Sequence, residues 1–132
     1  NLLKDLQERL SLTYIFISHD LSVIEHVCDR IAVMYLGRIV ELASRDQLFS
    51  QPQHPYTQAL ISSIPSLGSG KKKMSKILTG EIPSPINPPS GCSFHPRCPY
   101  KMDICSQKTP VLELSHGHLK SCHLNQNINL NN

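Results

Sequence analysis

Residues 14–21 read Tyr-Ile-Phe-Ile-Ser-His-Asp-Leu, an apolar run that ends abruptly at polar side chains. A short, continuously apolar run is typical of a strand buried on both faces, as in a parallel sheet covered by helices. Apolar residues then recur at helical spacing as far as position 28, and Asp20 or Ser18 can cap the first helical turn. The stretch therefore predicts a strand, a polar tip and a helix, which is an α/β arrangement.

The flanking residues extend this regular pattern. Leucines at positions 2, 3, 6 and 10, with charged residues between them, predict an amphipathic helix. Two β-rich runs, 31–36 and 39–42, meet at Gly37-Arg38 and predict a hairpin, and short helices are expected at 45–49 and 55–63. Because the first helix begins with no strand or loop before it, we expect the chain to be a fragment of a larger architecture.

Composition and charge exclude several classes of protein. The chain has 132 residues and a formal net charge of +3, a basic excess too small to indicate a nucleic-acid partner. It contains no run of roughly 20 apolar residues that could cross a bilayer and no N-terminal secretion signal. We expect an intracellular soluble chain, in which the cysteines do not form a disulfide framework because the cytosol keeps thiols reduced.

The second part of the chain has a different character. Six prolines fall between Pro83 and Pro99, and few apolar residues accompany them. A large core cannot fix the shape of such a segment, so something else must. We predict a first domain at 1–50, a largely irregular extension at 51–124 with short helices, and a disordered Asn-rich tail at 125–132.

Four cysteines are concentrated in this extension: Cys92, Cys98, Cys105 and Cys122, which span 31 residues. Four thiolates can form a tetrahedral zinc site or hold an iron–sulfur cluster, and either would staple a proline-rich segment. The gaps of five, six and sixteen residues lack the paired two-residue spacing of most zinc ribbons. This spacing favours an iron–sulfur cluster over zinc.

Two alternatives remain open for these cysteines. One of the nearby histidines, His95, His116, His118 or His123, could replace a thiolate in a mixed site. The cysteines could also be unligated thiols or ordinary disulfides. Cys28 is different, because it continues the apolar stripe of the second helix and is predicted to be a small buried hydrophobe.

His19 is the candidate catalytic residue. It follows the predicted strand directly, where doubly wound sheets place the residues that face their ligands. An imidazole there could donate a hydrogen bond to a phosphate oxygen or orient a water molecule. The alternative is an ordinary surface or capping residue.

Taken together, these residues resemble a known family. Residues 16–21, followed by 29–41, look like the switch-histidine region and trailing hairpin of ABC-transporter ATPase domains. Residues 53–57 are similar to the C-terminal extension of ABC ATPases that drive oligopeptide and dipeptide import. Residues 91–99, with the two later cysteines, resemble the cysteine-rich end of that extension, which holds a four-iron four-sulfur cluster in some members. The resemblance covers nearly the whole chain.

The resemblance implies the last part of an ABC-type nucleotide-binding domain followed by a cysteine-containing extension. It implies that His19 contacts the terminal phosphate of ATP bound with magnesium and positions the attacking water. It further implies permease subunits and a second ATP-binding subunit as partners, at the cytoplasmic face of the cell membrane. Because the sequence has no glycine-rich phosphate loop, signature loop or magnesium-binding acidic strand end, we expect no hydrolysis by this chain alone. The alternative function is a stand-alone, metal-stapled protein-interaction module.

Overall fold

The computed structural model describes residues 2–64 and 80–124, so the predicted tail at 125–132 lies outside the described residues. The helices are α1 (Leu2–Leu10), α2 (Leu21–Val27), α3 (Arg45–Ser50), α4 (Pro55–Ser62) and α5 (Asp103–Gln107), with a 3₁₀ turn at His95–Arg97. The strands are β1 (Arg30–Tyr35), β2 (Arg38–Ser44), β3 (Glu113–Ser115) and β4 (His118–Lys120). The helices predicted before residue 64 are confirmed to within a residue or two at each end.

One sheet, in the order β1-β2-β4-β3, is built from antiparallel pairs. Its two hairpins turn through Leu36-Gly37 and His116-Gly117, and all four residues have positive φ, from 45° to 77°. Two successive positive φ angles are what a tight hairpin turn of type I′ requires, which explains the glycine in each turn. The predicted first hairpin is confirmed, with its turn one residue earlier than Gly37-Arg38.

The second hairpin was not expected from the sequence. Strand β4 pairs with β2 through Glu41–Lys120 and Leu42–Leu119, so the extension adds two strands to the sheet of the first 50 residues. The prediction of a largely irregular extension is wrong at this hairpin. Strands of three residues are not stable alone, and they form here because the edge of β2 supplies a partner.

The buried strand predicted at Tyr14–Ile17 is also wrong. These residues are not in a strand, and Ile15 and Ile17 are 91% and 99% exposed. A strand of a parallel sheet needs at least one neighbouring strand to bond and helices that cover both faces of the sheet. Within 2–64 and 80–124 no strand pairs with this segment, and the sheet that forms is antiparallel.

The core lies between the first hairpin and the helices that pack on it. Its buried members are Ile24, Ile31, Val33, Tyr35, Val40, Ala43, Leu48 and Phe94. Phe94 comes from the extension and is 1% exposed, so hydrophobic burial does contribute to the shape of the cysteine-rich segment. Cys28 packs against this core, as predicted for a small buried hydrophobe.

Candidate functional sites

The His19 site is a polar turn between residues 12–17, which form neither helix nor strand, and α2. Asp20 is the N-cap of α2, and its carboxylate accepts hydrogen bonds from the Ser22 and Val23 backbone N–H groups at 3.0 and 3.4 Å. The Ser22 hydroxyl donates to the same oxygen at 2.6 Å. The Ser18 hydroxyl in turn accepts from the Asp20 N–H at 3.0 Å. These bonds fix the backbone on both sides of His19, whose side chain is exposed.

An open cleft of about 320 Å³ adjoins His19. One wall is the start of α2, and the other is the end of α4 with the two residues that follow it, Ser63 and Ile64. Hydrogen bonds to the carboxylate, led by that of the Ser22 side chain, hold the pKa of Asp20 below its usual value, so the cleft carries a negative charge at neutral pH. The imidazole of His19 is exposed beside this cleft and can contact a ligand there.

The four cysteines of the extension occupy different local elements. Cys92 and Cys98 flank the 3₁₀ turn, Cys105 lies within α5, and Cys122 follows β4. The Cys92 N–H donates to the Cys105 carbonyl at 2.8 Å, which joins the 3₁₀ turn to α5. Cys105 is buried and the other three are partly buried.

Burial and mutual repulsion govern the electrostatics of the cysteine segment. Burial is the main cause that raises the pKa of Cys92, Cys98 and Cys122, that of Cys98 to about 11. In addition, every pairing among the four cysteines contributes a repulsion that raises a thiol pKa. Cys92, Cys98 and Cys122 are therefore protonated at neutral pH without a metal, and a metal would have to displace their protons.

The gathered thiols do not form a site for a single ion. Within 2–64 and 80–124, no three His, Cys, Asp or Glu side chains are placed to hold a metal ion together. Zinc bonds sulfur at about 2.3 Å, which would bring its tetrahedral ligands to about 3.8 Å from one another. The metal site that the sequence predicted is therefore not formed among the described residues.

The four nearby histidines are each engaged elsewhere. One ring nitrogen of His95 bonds the Cys92 carbonyl at 2.9 Å, and one of His123 bonds the Lys108 carbonyl at 2.8 Å. His116 contacts the Ser115 hydroxyl at 3.1 Å. His118 is buried against Glu41, 2.6 Å from its carboxylate. Nothing in this arrangement favours a histidine as a replacement for a thiolate.

Sequence reasoning missed Glu41, which is 0% exposed in the middle of β2. A strand with one buried face shows alternating polarity, but Val40 and Glu41 are buried in succession. The register shifts just there: the consecutive residues Val33 and Met34 of β1 pair with Glu41 and Ile39, so Val40 is the extra residue of a bulge in β2. No local pattern in the sequence predicts such a shift.

Comparison with known proteins identifies the family. Residues 40–105 match the family described as "Oligopeptide/dipeptide transporter, C-terminal region". The chain belongs to this family. The match begins within β2 and ends at Cys105, so it includes the end of the first hairpin, α3, α4 and three of the four clustered cysteines.

Curated relatives agree with this assignment. A Brucella ovis protein named for peptide import and ATP binding is 56% identical over 123 residues, which is 92% of this chain and 39% of the relative. The oligopeptide transport ATP-binding protein AppF of Bacillus subtilis is 51% identical over 128 residues, 94% of this chain and 39% of AppF. The dipeptide transport ATP-binding protein DppF of Escherichia coli is 51% identical over 122 residues, 92% of this chain and 36% of DppF.

The chain thus spans about two fifths of the length of these relatives. Its mixture of helix and sheet is consistent with the C-terminal part of an ABC ATPase domain. Among the helices that the structure describes, none is long and apolar enough to span a membrane.

Proposed function

We propose that this chain is the C-terminal part of the ATP-binding, energy-coupling subunit of an ABC transporter that imports peptides. The observation that carries the proposal is the identity of 51–56% over more than nine tenths of the chain with proteins named for peptide transport and ATP binding. Identity at this level extends over both the first hairpin and the cysteine-rich extension. It therefore favours one continuous subunit over a stand-alone interaction module.

His19 is the switch histidine of this proposal. Its exposure, the capped turn that holds its backbone and the open cleft beside it support that role. In hydrolysis, water attacks the terminal phosphoryl group of ATP bound with magnesium and releases ADP and phosphate. His19 would donate a hydrogen bond to a terminal phosphate oxygen and help to orient that water, an electrostatic and positioning contribution.

Cys92, Cys98, Cys105 and Cys122 are proposed as ligands of a four-iron four-sulfur cluster. Their partial burial and the electrostatic influence of each thiol on the others support a shared group, and their spacing in the sequence favours a cluster over zinc. When bound, the cluster would supply iron–thiolate bonds that cross-link the 3₁₀ turn, α5 and the end of β4. The protein's own contribution is to hold Cys92 and Cys98 against a small core, with Cys105 tied to Cys92 by a backbone hydrogen bond.

The partners proposed are the permease subunits of the transporter and a second ATP-binding subunit. The location proposed is the cytoplasmic face of the cell membrane, where such a subunit meets its permease. Both proposals rest on the similarity to the relatives, of which the chain spans about two fifths.

The ATPase proposal can be tested with a chimera in which this chain replaces the matching 128-residue segment of AppF. We expect the chimera to hydrolyse ATP and to restore oligopeptide uptake in Bacillus subtilis cells that lack AppF. His19→Ala should bind ATP normally but lose most hydrolysis. His26→Ala, an exposed histidine on α2, is the matched control and should retain it. A folded chimera in which both variants hydrolyse ATP equally would remove His19 from this role.

The cluster is tested by anaerobic purification, analysis of iron, sulfide and zinc, and visible absorption. We expect iron with sulfide in the wild-type chain and a large loss in Cys98→Ser. Cys28→Ser serves as the control, because Cys28 lies before β1 and outside the cysteine-rich extension. Stoichiometric zinc, or metal content that is the same in Cys98→Ser, would contradict the cluster assignment.

A further inference from the structure

Glu41 joins three segments that are distant in sequence. Its carboxylate accepts hydrogen bonds from the Gln53 N–H at 2.6 Å and the His54 N–H at 2.9 Å. His118 Nε2 donates to the same group at 2.6 Å. Glu41 therefore links β2, the segment before α4 and β4 of the extension.

These bonds are made away from solvent. The side chains of Glu41 and His118 are 0% and 4% exposed. A buried carboxylate that loses a partner keeps its desolvation cost without compensation, so the remaining arrangement is strongly disfavoured. A slip of β4 by one residue would turn His118 to the opposite face of the sheet and leave Glu41 without this donor. The pair consequently fixes the register of β4 on β2.

That register decides where Cys122 lies. Beyond β4, the Ser121 N–H donates to the Val40 carbonyl at 2.8 Å, and the Ser121 hydroxyl donates to the Pro110 carbonyl at 2.9 Å. Cys122 is the next residue in the chain. Its position is thus set by the attachment of β4 and Ser121 to β2, together with the bonds of Ser121 to the Pro110 carbonyl and of His123 to the Lys108 carbonyl.

The other three cysteines are held by different contacts. Cys92 and Cys98 pack against the core on either side of buried Phe94, and Cys105 is tied to Cys92 by the backbone bond described above. None of these contacts involves β4. The set of four is complete only when β4 is seated on β2.

We propose that Glu41 is a positioning residue for the cysteine site, which holds Cys122 beside the other three thiols through His118 and β4. The inference rests on the proposed use of the four cysteines as ligands. It adds that a strand of the ATPase portion is part of the scaffold of that site. If β4 came loose from β2, Cys122 would be released while the other three cysteines stay in place.

The test compares Glu41→Gln and His118→Gln with wild type, each as the complete chain in its metal-free, reduced form. Every cysteine is alkylated with iodoacetamide, and its rate is followed by peptide mass spectrometry. Gln47→Ala is the matched control, because Gln47 also bonds the β3–β4 hairpin, through the His116 carbonyl at 3.2 Å, but at an exposed position. Hydrogen exchange of the β1–β2 amides in each variant reports whether the hairpin remains folded.

We expect Cys122 to be alkylated about tenfold faster or more in both test variants, with Cys92 and Cys105 changed by less than about twofold. Gln47→Ala should match wild type. Unchanged alkylation of Cys122 in a folded variant overturns the inference, and so does an equal rise at all four cysteines in both variants.

The iron content of each protein is also measured after anaerobic reconstitution. This measurement distinguishes a failure of the proposed role of Glu41 from a failure of the proposed cluster. A selective rise at Cys122 in a protein that never binds iron would support the role of Glu41 and contradict the cluster. Normal iron binding with no selective rise at Cys122 would support the cluster and contradict the role of Glu41.

Discussion

The ring of Phe94 meets the ring of Tyr35 edge to face, with their centroids 5.2 Å apart and their planes at 86°. Tyr35 ends β1, whereas Phe94 lies between two of the clustered cysteines. Tyr56 of α4 approaches both rings, at 4.8 Å from Tyr35 and 5.4 Å from Phe94. This aromatic cluster attaches the cysteine-rich segment to the first hairpin by packing that does not depend on a metal.

Phe94→Ala should therefore destabilise the hairpin and the cysteine segment together. Truncation of a buried Phe costs about 3–5 kcal/mol, which is a large part of the stability of so small a core. We expect a correspondingly lower urea midpoint for the metal-free chain, with Phe94→Leu intermediate. Ile86→Ala removes an apolar side chain that is 86% exposed and should leave the midpoint unchanged. Equal midpoints for Phe94→Ala and Ile86→Ala would show that the ring is not part of the core.

Gly91 allows the backbone to approach α5 closely. A Cβ at this position would stand 2.4 Å from the Cys105 carbonyl oxygen and 2.8 Å from the Ser106 carbonyl carbon, and φ is +69°. Gly91→Ala should push the 3₁₀ turn away from α5, weaken the bond from Cys92 to Cys105 and lower the metal content. Gly117→Ala is the matched control, since its φ is +77° and nothing lies within 4 Å of the added Cβ.

Both substitutions carry the strain of a left-handed backbone, about 1–2 kcal/mol. Only Gly91→Ala adds a clash between the new Cβ and the Cys105 carbonyl oxygen. Urea unfolding of the metal-free chain should therefore show a clearly larger loss for Gly91→Ala. If the two variants lose the same stability, the close approach to α5 is not important.

Local signals account for the parts of the fold that the sequence predicted. Gly37 marked the first hairpin because a glycine relieves the positive φ of a tight turn. Asp20 and Pro55 marked the beginnings of α2 and α4. Each of these features depends on residues within a few positions of one another.

The parts that were missed depend on contacts between distant segments. Strand β4 exists because β2 offers an edge, and a three-residue polar strand carries little signal of its own. Conversely, Tyr14–Ile17 has the composition of a buried strand but pairs with no strand among the described residues. The domain boundary at residue 50 stays a prediction, although the sheet and the core both contain residues from its two sides.

The candidate sites also combine features that local sequence predicts with features that depend on distant segments. The grouping of four cysteines in a short segment could be read from the sequence, and so could the place of His19 directly before a capped helix. The link from Glu41 to His118 could not, because it connects a charged residue on one strand with a histidine that was considered only as a metal ligand.

Loss of the cap at Asp20 should unfold the start of α2 and disorder the turn that carries His19. Asp20→Ala removes the acceptor for two backbone N–H groups, whereas Asp20→Asn keeps an oxygen in place. Faster hydrogen exchange of the α2 amides is expected in Asp20→Ala and a much smaller change in Asp20→Asn. Because hydrogen bonds lower the pKa of Asp20, its contribution is present above the ordinary value of 3.8 and lost as the pH falls through the lowered one. Exchange that is insensitive to both variants would show that the cap does not hold this turn.

His54 makes the fold sensitive to acid. Its ring is 1% exposed, and Nδ1 accepts the Tyr56 N–H at 3.1 Å as the N-cap of α4. Burial, with a smaller contribution from the positive charge of Lys120, lowers the pKa of His54 from 6.5 to about 4. Protonation would place a charge in the core and remove the lone pair that caps the helix.

The unfolded chain therefore takes up a proton at this histidine below about pH 6.5, whereas the folded chain resists it until about pH 4. The stability contributed by neutral His54 is complete above 6.5 and is lost as the pH falls through this window. The difference corresponds to roughly 3 kcal/mol, since a tenfold change in a protonation constant is worth about 1.4 kcal/mol. His54→Asn retains an acceptor for the cap but does not titrate.

Urea unfolding of the metal-free chain at a series of pH values between 7.5 and 4 measures this contribution. We expect His54→Asn to be less stable than wild type at pH 7.5, because its smaller side chain leaves space beside the Phe94 ring, whose centroid lies 5.7 Å from that of His54. Its stability should then fall much less steeply with acid. His26→Asn, at an exposed position, should keep the wild-type slope. If His54→Asn and wild type lose stability in parallel, the acid sensitivity of the fold does not arise from His54.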